Sequence, residues 1–274
     1  MGLIGGRIGY QMFRSLVKVS PGNELTTVYD GKSKMEVLFG AQVWEELAGK
    51  TVVDFGCEAG VEAIDMAQHG IGRVIGIDIN DEALAIANQK ATTLGLADRC
   101  SFTTKLEEKV DVVVSLDAFE HFADPLAILG VMRGLLKEDG YILTCFGPTW
   151  YHPLGGHGFS IFPWAHLLFS ENVLMRWYRE TGNEEGRRFS DVRGGLNQLT
   201  IGRFEKLVAQ SDFELKTFET VPIRKLKSLN NRLTREFTTA VVRARLVPRS
   251  FRSEPAAQRS SLRELQQSAQ VLRN

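Results

Sequence analysis

The segment Val52-Val-Asp-Phe-Gly-Cys-Glu-Ala-Gly60 joins a short β-rich run to an acid at Asp54 and glycines at 56 and 60. A strand that stops on glycine and turns straight into a helix leaves the first N–H groups of that helix unpaired. Glycines at such a turn let a ligand come up against the main chain. Eighteen residues past Gly60, Asp78 ends a second apolar run, Arg73-Val-Ile-Gly-Ile-Asp78. A carboxylate so placed can accept the two hydroxyl protons of a ribose, as in doubly wound nucleotide sites. The spacing is Gly-x-x-x-Gly, so the dinucleotide pattern GxGxxG is not met, and no Gly-Lys-Ser/Thr follows to make a P-loop. A nicotinamide-type oxidoreductase is therefore a poor reading.

Strands and helices alternate outward from this turn. Met35, Leu38, Phe39, Val43 and Leu47 predict one helix over Lys34 to Leu47, closed by Gly49. Further helices are expected over 60–69, over 82–94 with Asn80 or Asp81 as cap, and from Asp124-Pro125 to Leu136. Strands are expected at Thr51–Phe55, Arg73–Asp78, Arg99–Thr103, Val110–Ser115 and Gly140–Phe146. This order predicts an α/β fold with a doubly wound, mostly parallel sheet covered by helices on both faces. After Phe146 the pattern breaks into residues 147–197, rich in Gly, His and aromatics, which read as an insertion on the substrate side. A helix at Ile201–Gln210 and strands at Phe213–Glu219 and Thr238–Val247 complete a seven-stranded sheet. The expected organisation is a helical segment 1–48, a main domain 49–247 and a basic tail 248–274.

Of 274 residues, 43% are hydrophobic and 24% charged, which suits a globular protein with a full core. Cys57, Cys100 and Cys145 are too few and too scattered for a disulfide framework or a CxxC metal site. No apolar run nears the roughly 18 residues of a spanning helix. The N-terminal stretch lacks the apolar core of a secretory leader, and Gly6 stands where a myristoylation signal wants Ser or Thr. A cytoplasmic location is expected. The net charge is zero, yet residues 222–274 hold 12 Lys/Arg against 3 Asp/Glu. That basic stretch suggests an anionic contact, such as a peripheral membrane surface or a phosphorylated substrate, or else a plain solvated face.

Taken in order, these motifs resemble class I S-adenosylmethionine-dependent methyltransferases, in the small-molecule branch. Asp54, Gly56 and Gly60 match the family's first motif, with Cys57 a frequent companion, and Asp78 matches its ribose-binding acid. Val112-Val-Val-Ser-Leu-Asp-Ala-Phe-Glu-His121 resembles its fourth strand, and Arg133-Gly-Leu-Leu-Lys-Glu-Asp-Gly-Tyr-Ile142 the turn before its fifth. The resemblance implies a Rossmann-like methyltransferase sheet and S-adenosylmethionine as cofactor. The cofactor would be bound by Asp54, Gly56, Cys57, Gly60, Asp78, Ile79, Leu106 and Ser115. It also allows a divalent ion at Asp117, Glu120 and His121, although no metal is assigned. Two departures stand out. Glu58 replaces the middle glycine, and Thr104-Lys105-Leu106 lacks the acid that often meets the adenine. They leave open a second reading, a catalytically degenerate binding or regulatory protein of the same fold.

An oxygen or carbon acid acceptor must lose a proton, for which histidine is suited. His121 follows the fourth strand, and His157 lies in the glycine-flanked loop Leu154-Gly-Gly-His-Gly-Phe159, expected to swing over the site opposite His121. These two are the candidate catalytic residues, while His69 reads as structural. Trp150, Tyr151, Phe159, Phe162, Trp164, Phe169, Trp177 and Tyr178 cluster in the insertion. Their density suits either a pocket for an aromatic or lipid-like molecule or a small local core. The expected substrate is a small, apolar or aromatic hydroxylated molecule. A nucleic acid is disfavoured because the aromatics are not interleaved with Lys/Arg.

Overall fold

The computed structural model describes residues 2–17, 31–159, 162–181, 186–191 and 195–249. Seven strands form one sheet: β1 (Thr51–Phe55), β2 (Arg73–Ile77), β3 (Cys100–Thr103), β4 (Val110–Leu116), β5 (Leu136–Phe146), β6 (Phe213–Pro222) and β7 (Thr239–Pro248). Their order is β3-β2-β1-β4-β5-β7-β6. The pairings from β3 to β5 are parallel, whereas β7 runs antiparallel to both β5 and β6. The expected mostly parallel sheet is thus corrected to a mixed one. The cause is local: no crossover helix lies between β6 and β7, only a turn and a four-residue helix, too short to return the chain in parallel.

Side chains alternate across the buried strands, so each face builds its own core. Val52, Val112 and Val114 pack with residues of α2 (Lys34–Phe39), α3 (Val43–Leu47), α4 (Val61–Gln68) and α5 (Asp81–Thr93). Val53, Val113 and Ile142 pack on the other face against α6 (Pro125–Leu135) and α9 (Ile201–Gln210). The helix expected over 34–47 is two helices, because Gly40 takes φ +83° and its N–H closes the first on the Glu36 carbonyl. Strand β5 starts four residues earlier than expected, at Leu136, which pairs with Val110 before the ladder resumes at Tyr141.

A third core lies beyond the sheet. Here α1 (Gly6–Leu16) sets Tyr10 and Phe13 against Phe159, Phe169 and the helix α8 (Glu171–Glu180). Phe13 meets Phe169 edge-on at 5.0 Å and Trp177 at 5.9 Å. Six of the eight aromatics clustered between Trp150 and Tyr178 join this core, while Tyr151 and Trp164 stay exposed. They act mainly as a local core, since α8 and the four-residue α7 (Ala165–Leu168) have no other element on which to bury their apolar faces. Residues 224–229 form a 3₁₀ turn leading to α10 (Arg235–Thr238). From residue 250 onward the expected basic tail lies outside the described residues. Among the described residues no helix is long and apolar enough to cross a membrane.

Candidate functional site

Strand order reverses between β1 and β4, and the crevice at such a switch point is where open α/β sheets bind ligands. On the β1 side the turn is held almost entirely by its own backbone. Gly56 and Cys57 N–H both donate to the Ile77 carbonyl, at 2.8 and 3.1 Å, and Gly60 N–H donates to Cys57 at 2.8 Å. Gly56 and Gly60 take φ +82° and +73°, which a side chain would strain. A Cβ on Gly60 would lie 2.4 Å from the Phe102 ring and 2.8 Å from Ala87. Close packing of the turn on α5 and β3 therefore demands this glycine.

Asp78 faces the turn. Its Oδ2 accepts from Glu58 N–H and its Oδ1 from Asn80 N–H, each at 2.9 Å. The carboxylate is thereby fixed, half-buried, with a lone pair left on each oxygen. Asp54 is buried beneath, accepting from the Ala63 backbone N–H, and its Oδ2 has no partner. Burial, then the nearby Glu62, pushes its carboxyl up to about 8. Glu58 takes φ +45° with its side chain in solvent, so the position keeps the backbone shape that a glycine would adopt.

The other candidates differ in what they offer. Ser115 is fully buried, donating its hydroxyl to the Phe55 carbonyl at 3.1 Å, and so ties β4 to β1. Cys57 is buried and its thiol is pushed up by burial, which makes it unreactive. Leu106 is half-buried against the second core. The Ile79 side chain is 97% exposed and packs in neither core. Asp54, Gly56, Cys57, Asp78 and Ser115 thus gather at the end of β1, with Ile79 and Leu106 at the margin. An orphaned buried carboxyl oxygen and a fixed acid with spare lone pairs fit a ligand bearing an amino group and a ribose.

Sequence reasoning missed Lys34. From the start of α2 its ammonium reaches Asp117 at 2.7 Å and Glu62 at 3.3 Å, and the neighbouring Ser33 hydroxyl donates to Asp65 at 2.6 Å. Burial opposes the charge, but Asp117 and Glu62 outweigh it and hold the ammonium well above its ordinary range. This strap closes one side of the crevice, and a groove of 1620 Å³ runs from it over α4 and α5. No local pattern announces such a contact, because its partners lie far along the chain.

A second cluster sits where β4 and β5 end. Glu120 is buried, its Oε1 accepting from Gly147 N–H at 3.1 Å while Oε2 has no partner. Burial, then Asp117, raises its carboxyl. Asn197 donates to the Phe119 and Phe122 carbonyls at 2.7 and 2.8 Å, and its Oδ1 is likewise unpartnered. His121 donates from Nδ1 to the Gly195 carbonyl at 3.1 Å. His157 bonds the Pro148 carbonyl, and its buried Nε2 has no partner. Burial, then His121, lowers the His157 imidazole to about 4, so it is neutral at pH 7.

Two expectations about this cluster change. The rings of His121 and His157 meet edge-on at 5.4 Å, which leaves no room for an acceptor between them. The His157 loop is packed down in this structure rather than open, with Phe159 buried in the third core and His157 bonded to the Pro148 carbonyl. The residues at which the resemblance allows a divalent ion also lack a common focus. Asp117 faces Lys34, Glu120 faces Gly147 and His121 faces Gly195, and among the described residues no three His, Cys, Asp or Glu converge as metal ligands.

Residues 46–147 match a family model described as a methyltransferase domain. A ubiquinone biosynthesis O-methyltransferase of Haemophilus ducreyi is 39% identical over 106 residues, covering 35% of this chain and 44% of that protein. A ribosomal protein L11 methyltransferase of Aliivibrio fischeri is 35% identical over 98 residues, covering 35% of this chain and 33% of that one. The chain therefore spans less than half the length of either curated relative. The solved structure of the [4+2]-cyclase SpnF shares the fold with a TM-score of 0.50 at 14% identity, over 76% of this chain and 79% of that one.

Proposed function

We propose that this chain, whose residues 46–147 form a class I S-adenosylmethionine-dependent methyltransferase domain, methylates a small, apolar or aromatic hydroxylated molecule. The two relatives are named for a quinone-pathway enzyme and a ribosomal-protein enzyme, so the shared third of the chain does not choose between substrates. The acceptor side supports the small-molecule reading. One observation carries the reading: His157 Nε2, Glu120 Oε2 and Asn197 Oδ1 are all buried and unpartnered in one neighbourhood. Leaving such groups unmet costs about 1–3 kcal/mol each, and a small ligand with its own hydroxyl groups meets them.

When bound, S-adenosylmethionine supplies an electrophilic methyl group on a sulfonium. Asp78 holds the ribose hydroxyls, the Gly56–Gly60 turn lets the cofactor approach the main chain, and Asp54 accepts from its amino group. On the acceptor side His157 is the proton acceptor. Its hydrogen bond to Pro148 fixes the ring with Nε2 free, and at a value of about 4 it carries no proton at pH 7. It would take the hydroxyl proton that an oxygen acceptor must lose on methylation. Glu120 and Asn197 orient the acceptor, and His121 walls the ring of His157. The alternative of a non-catalytic relative rests on two departures; the exposed side chain of Glu58 speaks against the first, and Thr104-Lys105-Leu106, without the acid that often meets the adenine, remains the second.

Calorimetry with S-adenosylmethionine and its demethylated product, followed by methyl transfer to a panel of phenols and their pre-methylated ethers, tests this reading. Micromolar binding of both ligands and transfer only to acceptors with a free hydroxyl are expected. Absence of binding by either ligand overturns it.

A further inference from the structure

Residues 222–249 hold eight Lys/Arg, and the structure divides them sharply. Arg235 pairs with Glu205 at 2.5 Å, Arg243 with Glu219 at 2.8 Å and Arg245 with Glu46, while Arg249 donates to the Phe213 and Ala209 carbonyls. Those four are spent on the fold. Arg224, Lys225, Lys227 and Arg232 are exposed and make no ion pair with any described residue. They surround leucines that face water: Leu229 is 58% exposed and Leu233 90%.

Fraying does not explain this exposure. Asn231 Oδ1 accepts from Leu233 and Thr234 N–H at 2.9 and 3.3 Å, and Asn230 donates to the Thr238 hydroxyl at 2.9 Å. The turn is built to hold its leucines outward. The apolar strip continues through contacts. Exposed Phe237 lies 5.3 Å from the Tyr151 ring, and Trp164 donates its indole N–H to the Tyr151 carbonyl at 2.9 Å. Exposed Leu168 follows one helical turn later, and its carbonyl accepts from Ile4 N–H at the entry to α1. Helix α1 repeats the composition, with exposed Ile8, Met12 and Leu16 at four-residue steps, Arg7 and Arg14, and no acid.

We infer that the face formed by residues 224–237 with Tyr151, Trp164 and Leu168 docks on an anionic lipid bilayer. Insertable apolar side chains ringed by unpaired cations are what such a surface recognises. The acids in this segment and beneath it are already used. Glu205 holds Arg235, and Glu236 accepts from the Ile201 and Gly202 N–H groups at the start of α9. A nucleic acid would match the cations but leave a 90% exposed leucine without a partner. The docking itself stands apart from methyl transfer, because its test reads binding alone.

The full-length chain is sedimented with phosphatidylglycerol-containing vesicles and with phosphatidylcholine vesicles, alongside the R224E/K225E/K227E and L229S/L233S variants. Wild type is expected to bind only the anionic vesicles and to release as salt rises. At about fivefold per cation, the triple reversal should weaken binding by at least about a hundredfold. The double serine variant should also bind less, and both variants should keep the wild-type melting temperature. Equal binding to both vesicle types, binding untouched by the reversal, or no binding at all overturns the inference. So does a dimer dissolved by L229S/L233S without vesicle binding, which would assign the face to a second copy of the chain.

Discussion

The turn after β1 and the segments after β4 and β5 lie at C-terminal strand ends, yet they handle polar groups in opposite ways. In the first, Gly56, Cys57, Glu58 and Gly60 N–H groups all have protein partners, and Asp78 is fixed by two main-chain donors. In the second, Glu120, His157 and Asn197 each keep a buried atom with none. Left-handed backbone is borne mostly by glycine in the first, whereas in the second it falls on His157, Trp164 and Gln198. One region is completed by its own chain. The other holds unmet polar capacity and backbone strain, as sites awaiting a ligand commonly do. Asp54 Oδ2 is the exception in the first region, and there too a ligand is the natural partner.

The largest expected effect tests how complete the first region is. Gly60→Val places a β-branched side chain at φ +73° and drives its Cβ to 2.4 Å from Phe102. Overpacking and left-handed strain together should cost about 3 kcal/mol or more. Urea denaturation measures the loss, and a cost below about 1 kcal/mol would show that the turn adapts and is not fixed by close packing. This damage precedes any effect on cofactor binding, so a folded but merely weak-binding variant would also contradict the packing role.

The second prediction addresses the unmet atoms. His157→Ala should lower turnover by about a hundredfold and leave S-adenosylmethionine affinity unchanged. The sign of the pH dependence follows from the lowered imidazole. A base acts when unprotonated, and His157 stays unprotonated down to about 4. Wild-type turnover should therefore be flat between about pH 6 and 8, where an unperturbed histidine would titrate, and fall only towards pH 4. A rise across the neutral range would move the base role to a group other than His157. The same lowering has a stability consequence. Below the unfolded value near 6.5 the unfolded chain takes a proton that the native chain refuses. Native stability should thus fall as pH drops from 6.5 to 4, and the fall should be smaller in His157→Ala.

The contrast between the regions also explains what was legible in the sequence. The helix Ile201–Gln210, the cap at Asp124 and the paired elements from Thr51 to Leu116 follow from local rules of period, cap and glycine, which neighbouring residues state directly. The split of α2 from α3 was present in the sequence as Gly40 but outvoted by the apolar period around it. Long-range arrangements were not legible. Nothing near Lys34 announces Asp117, and nothing near Asn197 announces Phe119 and Phe122. The aromatics after β5 were counted as a pocket or a core on density alone. Only the position of α1 decides that most of them are core.

A third prediction sharpens the contrast at Asp78. Its two oxygens each accept a main-chain N–H, of which an asparagine oxygen can keep one, so removing the charge should loosen the turn without unfolding it. Asp78→Asn should keep the melting temperature within a few degrees and weaken S-adenosylmethionine binding at least tenfold, since a charge-assisted acceptor is worth about 1.5–3 kcal/mol. Calorimetry reads the affinity and thermal denaturation the fold. Unchanged affinity in the folded variant would remove Asp78 from the site and leave it a turn residue only.

The smallest effect is expected at Glu58, the one non-glycine residue of the β1 turn with positive φ. Its side chain is exposed and only its main chain is used, the N–H by Asp78 and the carbonyl by the Cys57 thiol. Glu58→Gly relieves left-handed strain of about 1–2 kcal/mol and loses up to about 1 kcal/mol through the freer unfolded chain. A net gain of roughly 0.5 kcal/mol in urea denaturation is the expected balance. Cofactor affinity should stay within about twofold, because a carboxylate in water is screened from the site. A clear rise in affinity would mean that Glu58 turns inward and repels the carboxylate of the ligand. A fall would mean that it holds the ligand's ammonium, and in either case the β1 turn would depend on a side chain as much as the β5 side does.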